Sequence, residues 1–178
     1  MTKITLKDEY KISRLQRAAL AEVELLKHEF ELIVEHTRKQ KSISLFDEID
    51  FVDFTDSDIK DIFTKRKDRK YASLTVELYA ITEQMLKEMY ECLHSDPYSK
   101  SNDNNIIKDL EDVLKSRLVI NEKGSLKKLS MLRNYIIHHN FSMKKAREEK
   151  ELNIKSKDLY SELHQKVVDY INNISYKE

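Results

Sequence analysis

A short polar cluster interrupts an otherwise apolar helical pattern between residues 125 and 140. Arg133 would emerge beside the buried stripe of that helix, where a permanently charged guanidinium needs a carboxylate, a phosphate or a subunit interface as its partner. Asn134 and His138 are four residues apart and therefore share another face. Because histidine titrates near neutral pH, these side chains together could bind an anion and transfer a proton.

The elements that must position this cluster are helices, because the 178-residue chain contains one glycine and one proline. Hairpins and tight turns need these residues, whereas long helices need them to be absent. We therefore predict an all-α fold and one domain. Its segments are a long N-terminal helix (1–40), an acidic connector (41–58) with a short helix continuing to 64, a long helix (71–93), a loop (94–103), three further helices (104–119, 125–139, 157–174) and a charged stretch (144–157).

Apolar residues recur at helical spacing in several of these segments and predict the core. The turn at 121–124 ends in Gly124, which suits a left-handed conformation after a helix. The predicted core stripes are Ile12, Leu15, Ala19, Val23, Leu26, Phe30, Ile33 and Val34 in the first helix, Leu74, Leu78, Ile81, Met85, Met89 and Leu93 in the long central helix, and Leu159, Leu163, Val167, Val168 and Ile171 in the last helix.

Composition excludes several classes of function. Lysine and arginine (32 residues) balance aspartate and glutamate (32 residues), so any phosphate-binding surface must be local. Without further glycines the chain has no phosphate loop or dinucleotide fingerprint, and we expect no cofactor. The single cysteine, Cys92, rules out an intramolecular disulfide and a cysteine-based zinc site, and we expect no metal. No apolar run approaches the roughly 18 residues of a membrane span, and we expect a cytoplasmic protein.

The run from Arg133 to His138 matches the Arg-Asn-x-x-x-His signature of the HEPN (higher eukaryotes and prokaryotes nucleotide-binding) superfamily. The chain resembles that superfamily from about residue 69 to 178, with the motif on a late helix that one more helix follows. The resemblance implies a HEPN-like antiparallel bundle of about five to six helices, to which residues 1–40 add a long helix.

The resemblance also implies an activity, that of a metal-independent endoribonuclease of the kind used in toxin–antitoxin, abortive-infection and other phage-defence systems. Arg133 would hold the scissile phosphate, Asn134 would position the motif or the RNA, and His138 would be the general acid or base. RNA provides its own nucleophile, the 2′-hydroxyl, so the expected products are a 2′,3′-cyclic phosphate and a 5′-hydroxyl.

In that family two motifs face each other across a homodimer and form a shared cleft. This arrangement suits the present chain, because Arg133 and His138 are five residues apart and therefore about 140 degrees apart around a helix. An antitoxin or other regulatory protein is a further implied partner. Toxins paired with a nucleotidyltransferase antitoxin often carry a tyrosine two places after the motif histidine, where this chain has Asn140.

Other residues near the motif are candidates for supporting roles or for contacts with RNA phosphates. Each also has a purely structural interpretation, since most charged runs are solvated faces and most aromatic residues on helices pack in a core or an interface. The possible supporting residues are Glu77, Tyr135 and His139, and the candidate RNA contacts are Lys127, Lys128, Arg69 and Lys70.

A second class of function remains open, a non-catalytic helical module that dimerises or binds a partner. In that case His138 would only cap its helix, and Arg133 would pair with a core carboxylate such as Glu77 or Glu83. An exposed apolar stripe on the first helix, together with a buried His138, would favour this alternative.

Overall fold

The computed structural model of the protein describes residues 5–39, 56–99 and 105–177. Within them the chain forms six α-helices and a small two-stranded sheet, which confirms the predicted all-α class. None of the helices in these ranges is long and apolar enough to cross a membrane. Most of the predicted acidic connector, residues 41–55, lies outside the described residues. In chain order the elements are α1 (Leu6–Lys39), α2 (Asp56–His94), α3 (Ile106–Leu114), β1 (Leu118–Ile120), α4 (Lys127–His138), α5 (Met143–Glu149), α6 (Ser156–Asn172) and β2 (Ile174–Tyr176).

α2 is one uninterrupted helix of 39 residues. The predicted division into a short helix to residue 64 and a separate helix from Tyr71 is therefore wrong. The basic run at 65–70 contains lysine, arginine and one aspartate, and nothing in it breaks a helix. The change from charged to apolar side chains at Tyr71 marks the point at which α2 enters the core, and the helix itself begins earlier.

The core lies along one face of α2, and every other described helix packs against it. Two buried threonines on this face, Thr75 and Thr82, satisfy their hydroxyls within the helix by donating to the carbonyls of Tyr71 and Leu78 at 2.8 and 2.9 Å. Their polar groups therefore do not disturb the apolar packing. The buried apolar residues of α2 are Tyr71, Ala72, Leu74, Leu78, Tyr79, Met85, Leu86, Met89 and Leu93.

α1 belongs to the same core and packs against α2 and α6. The Gln16 side chain strengthens this contact by donating to the backbone carbonyls of Ile171 and Ile174 at 2.9 and 3.0 Å. The N-terminal helix therefore completes the bundle. The predicted stripe is confirmed, with Ile12, Ala19, Val23, Leu26 and Phe30 buried and Leu15, Ile33 and Val34 partly buried against them.

A small antiparallel sheet occupies positions that the sequence pattern assigns to helix ends. α3 ends at Leu114 and β1 follows, so the prediction of helix to about 119 is wrong, as is the extension of the last helix to 174. Val119 lies opposite Ser175. A three-residue apolar run fits either a helix or a strand, and its partner strand is far away in sequence, so local periodicity cannot distinguish them.

Glu111 is a buried carboxylate beside the turn between β1 and α4. Gly124 adopts a φ of +77° in this turn, and its N–H donates to Glu111 Oε2 at 3.3 Å. Burial raises the pKa of Glu111, and this effect exceeds the opposing influence of the Tyr170 phenol and the Gly124 N–H. Glu111 therefore binds its proton more tightly in the folded chain than in the unfolded chain.

Replacing Glu111 with glutamine is expected to flatten the pH dependence of stability. In the wild type, this group's contribution is fully present below the unfolded carboxyl pKa of about 4.3. It is lost as the pH rises through the higher folded pKa. Urea unfolding at a series of pH values should show a shallower decline for Glu111→Gln, and parallel profiles for the two proteins would contradict this.

The neighbouring acid Asp112 provides a control of opposite sign. Hydrogen bonds from Lys123 and Lys115 lower the pKa of Asp112 to about 2, so its contribution is lost as the pH falls through that value. The wild type therefore loses the stability that Asp112 contributes when the pH becomes strongly acidic, and Asp112→Asn should abolish this loss. Glu111→Gln should instead abolish the loss of stability that occurs as the pH rises toward neutrality.

Candidate active site

The arginine of the motif lies half-buried between α4 and α2. Its guanidinium carbon is 5.2 Å from the centre of the Tyr79 ring on α2, and its Nη1 donates to Asn134 Oδ1 at 2.9 Å. No carboxylate of the described residues forms an ion pair with it, and Glu83 pairs instead with Lys87 at 2.5 Å. An aromatic face and an amide therefore orient the charge of Arg133 without neutralising it.

Tyr79 is the buried support of this guanidinium, with only 3% of its surface exposed. Burial, together with the negative charge of Glu83, raises the pKa of Tyr79 to about 12. The phenol therefore keeps its proton at neutral pH, and it can hydrogen-bond to the Glu83 carboxylate. The sequence pattern predicts Tyr79 only as a core or interface residue, and nothing in the pattern identifies it as the partner of Arg133.

His138 is the last residue of α4 and is exposed to solvent. Within the described residues, no group forms a hydrogen bond with its imidazole. The wheel angle of about 140 degrees directs Arg133 toward α2 and His138 away from it. A hydrogen bond joins Arg133 to Asn134, whereas none joins His138 to either of them within the described residues.

Tyr135 and His139 lie on a further side of α4 and connect it to α5. Their rings stack with centroids 4.6 Å apart, and the Tyr135 hydroxyl donates to Glu149 Oε1 at 2.9 Å. This hydrogen bond is the main cause of the raised pKa of Tyr135. Lys150 places its ammonium 4.0 Å from the centre of the same ring. These contacts give both candidates a structural role beside the motif.

The turn after α4 leads at once into α5, which the sequence pattern does not predict. Asn140 and Phe141 both have positive φ angles, of 59° and 53°, a conformation that is unfavourable for phenylalanine. Ser142 caps α5 by accepting from the Lys145 N–H at 3.1 Å. Asp68 of α2 accepts from the Ser142 hydroxyl and from the Lys144 N–H, both at 2.7 Å, and so anchors the turn.

The prediction of a charged connector at 144–157 therefore misses α5. The helix has seven residues, of which Met143 and Ala146 are buried. Two apolar positions are too few to show a helical repeat in the sequence. Ser142 is the one feature in the sequence that marks the start of α5, since serine is a preferred N-cap residue.

Glu77, a possible supporting residue, lies on a different side of α2. It is exposed and accepts a hydrogen bond from Ser73 of its own helix at 2.9 Å. Its charge acts on Tyr160 of α6, where it helps to raise the pKa of that phenol. The structure therefore does not bring Glu77 to the motif.

The four candidate RNA contacts differ in their surroundings. Lys127, Arg69 and Lys70 are exposed and form no ion pair within the described ranges. Lys128 pairs with Glu162 of α6 at 3.1 Å, with about a quarter of its side chain exposed. Its charge already has a partner that links α4 to α6, so it is the weakest of the four candidates.

The two conditions that would favour a binding module are met only in part. α1 does expose apolar side chains, with Leu25 64% and Leu32 51% exposed. However, His138 is exposed rather than buried. Ile137 and Phe141, which flank it, are themselves 37% and 42% exposed. The motif histidine therefore has a partly exposed apolar residue on each side of it in the sequence.

The described residues contain no group of three or more histidine, cysteine, aspartate or glutamate side chains that could hold a metal ion. Among the three motif residues, the guanidinium of Arg133 is the permanently charged group that an anion could bind.

Replacing Arg133 with alanine should leave the fold intact. The loss of one cation–π contact and one neighbouring hydrogen bond should lower the free energy of unfolding by about 1 kcal/mol. Urea unfolding measures this change, with Arg17→Ala as the control, because Arg17 is exposed and bonds only within its own helix. A loss several times larger would show that Arg133 mainly supports the core.

No family model, curated protein or solved structure was found to match this chain. The interpretation of the motif therefore depends on its own residues and their geometry.

Proposed function

We propose that this protein is a metal-independent endoribonuclease of the HEPN type. The observation that carries the proposal is the charge of Arg133, which is half-buried and oriented by Tyr79 and Asn134, yet has no carboxylate partner among the described residues. Holding a guanidinium in this way costs desolvation that an incoming phosphate can offset. His138, exposed nearby on the same helix, provides the group for proton transfer.

Each motif residue has one role in the proposed reaction. His138 acts as the general base that takes the proton of the RNA 2′-hydroxyl, or as the acid that protonates the leaving 5′-oxygen. The 2′-oxygen attacks the adjacent phosphorus, and the bond to the 5′-oxygen breaks. Arg133 offsets the negative charge that develops on the phosphorane oxygens. Asn134 is a positioning residue, because its amide oxygen holds the guanidinium.

Two copies of the chain complete the site in this proposal. Arg133 and His138 point about 140 degrees apart on one helix. A two-fold axis beside the end of α4 would bring an arginine of one subunit toward a histidine of the other. The exposed side chains of Ile137 and Phe141 offer an apolar surface there that a second subunit would bury. We assign the protein to toxins or phage-defence effectors that act in the cytoplasm, with a protein antitoxin or regulator as a further partner.

The second candidate function is a non-catalytic module that dimerises or binds a partner protein. It is favoured by the same exposed pair, Ile137 and Phe141, and by Leu25 and Leu32 on α1. A helical fold alone does not distinguish the two candidates.

Cleavage of RNA by the purified protein in EDTA tests the proposal. We expect wild-type cleavage with 2′,3′-cyclic phosphate ends, and no cleavage where the 2′-hydroxyl is replaced by hydrogen. His138→Ala and Arg133→Ala should each lower the cleavage rate by about 100-fold or more. His28→Ala and Arg17→Ala, which alter exposed residues of α1, are the matched controls and should cleave like the wild type.

A folded wild-type protein that cleaves no class of cellular RNA would contradict this function. If that protein were also a stable dimer, the binding-module alternative would be preferred. Cleavage that survives His138→Ala would exclude the proposed role of the histidine.

Mixing two inactive variants tests the shared cleft. In a dimer of Arg133→Ala with His138→Ala, one of the two composite sites contains both intact residues. Random exchange of subunits should therefore restore about a quarter of the wild-type activity. Sites built within one chain would remain inactive in every combination, so a mixture without activity would exclude the shared cleft.

A further inference from the structure

A group of cations from two helices forms one surface beside the end of α4. All of its members are exposed, and they come from the basic run of α2 and the first turn of α5. We call this group the basic surface. It consists of Lys65 and Arg69 of α2 and Lys144 and Lys145 of α5.

Asp68 joins the two halves of the basic surface. Its carboxylate accepts from the Ser142 hydroxyl and the Lys144 N–H at 2.7 Å each, so the start of α5 lies directly against α2. Lys65 and Arg69 are three residues before and one residue after Asp68, and both lie within one turn of it. The only acid inside the basic run of α2 is therefore engaged in holding α5.

The basic surface carries an excess of positive charge. Lys144 lies 3.8 Å from Glu148, but both side chains are more than half exposed, and such a pair is weak. The other three cations form no ion pair within the described residues. This local excess is notable because the whole chain is neutral.

The position of the basic surface relates it to the motif. α4 packs against α2, where Arg133 contacts the Tyr79 ring. After the turn, the first residue of α5 also contacts α2, because the sulfur of Met143 lies 4.0 Å from the Thr75 hydroxyl. His138 precedes Ser142 by four residues, so at most about 14 Å of chain separates them. An RNA strand in contact with His138 could therefore continue onto the basic surface.

We infer that the basic surface binds the phosphate backbone of single-stranded RNA next to the nucleotides at the motif. This inference rests on the proposed function, since it extends the same substrate beyond the cleavage site. Lysine and arginine on an exposed helical face contact phosphates without reading base sequence. The surface thus provides affinity for RNA that is independent of sequence, while the motif performs the reaction.

The test compares two pairs of neutralising substitutions in a His138→Ala background, in which RNA stays intact. Lys65→Gln with Arg69→Gln removes two charges from the basic surface. Lys11→Gln with Arg14→Gln removes two exposed charges from α1 and serves as the control.

The control pair lies far from the basic surface. The charge of Lys11 acts on Cys92 of α2. Cys92 follows Asp68 by 24 residues on α2, which corresponds to a rise of about 36 Å.

The readout is fluorescence anisotropy of a labelled single-stranded RNA 20-mer at several salt concentrations. The pair on the basic surface should weaken binding by about 10-fold at low salt and reduce the slope of log K against log salt by about 1.4, or 0.7 per phosphate contact. The control pair should leave both values unchanged. Unfolding curves of the two variants confirm that each remains folded.

The outcomes separate this inference from the proposed function. Equal losses in the two pairs, or no RNA binding by the His138→Ala protein, would overturn the inference. A wild type that binds RNA through Lys65 and Arg69 but cleaves none would support the basic surface and contradict the endoribonuclease.

Discussion

Burial of one face of α2 is the constraint on which the rest of the structure depends. α2 is the longest described helix, and α1, α3, α4, α5 and α6 all pack against it. An isolated helix of this length would expose its apolar stripe, so its stability comes from the helices that cover that stripe. The same helix also presents polar contacts at its margins. Tyr79 supports Arg133, and Asp68 anchors the turn that follows α4.

The site and the fold are therefore coupled through α2. Any change in the register of α4 against α2 would separate the guanidinium of Arg133 from the Tyr79 ring. Two hydrogen bonds stabilise the turn after α4 and its surroundings. The Tyr135 hydroxyl of α4 donates to Glu149 at the end of α5, and the Ser142 hydroxyl donates to Asp68 of α2. These bonds offset the unfavourable backbone of Asn140 and Phe141. Strained backbone beside exposed, chemically capable side chains is common at functional sites.

The comparison of Arg133 with Glu111 shows how burial is used in two ways. Glu111 is fully buried, receives a hydrogen bond from Gly124 and lies beside the Tyr170 phenol, and burial raises its pKa, which disfavours its charged form. A guanidinium cannot lose its charge in the same way. Arg133 stays ionised, and its partners are a ring and an amide, which leaves its charge for an anion.

The sequence by itself determined the helical class, the stripes of α1, α2 and α6, and the helix that carries Arg133 and His138. Glycine and proline content and apolar spacing are local properties, and they act before any packing. Only the tertiary structure decided that residues 118–120 and 174–176 pair as strands, and that Tyr79 and Asp68 meet α4 and α5. Each of these depends on a partner many residues away, and local patterns contain no information about distant contacts.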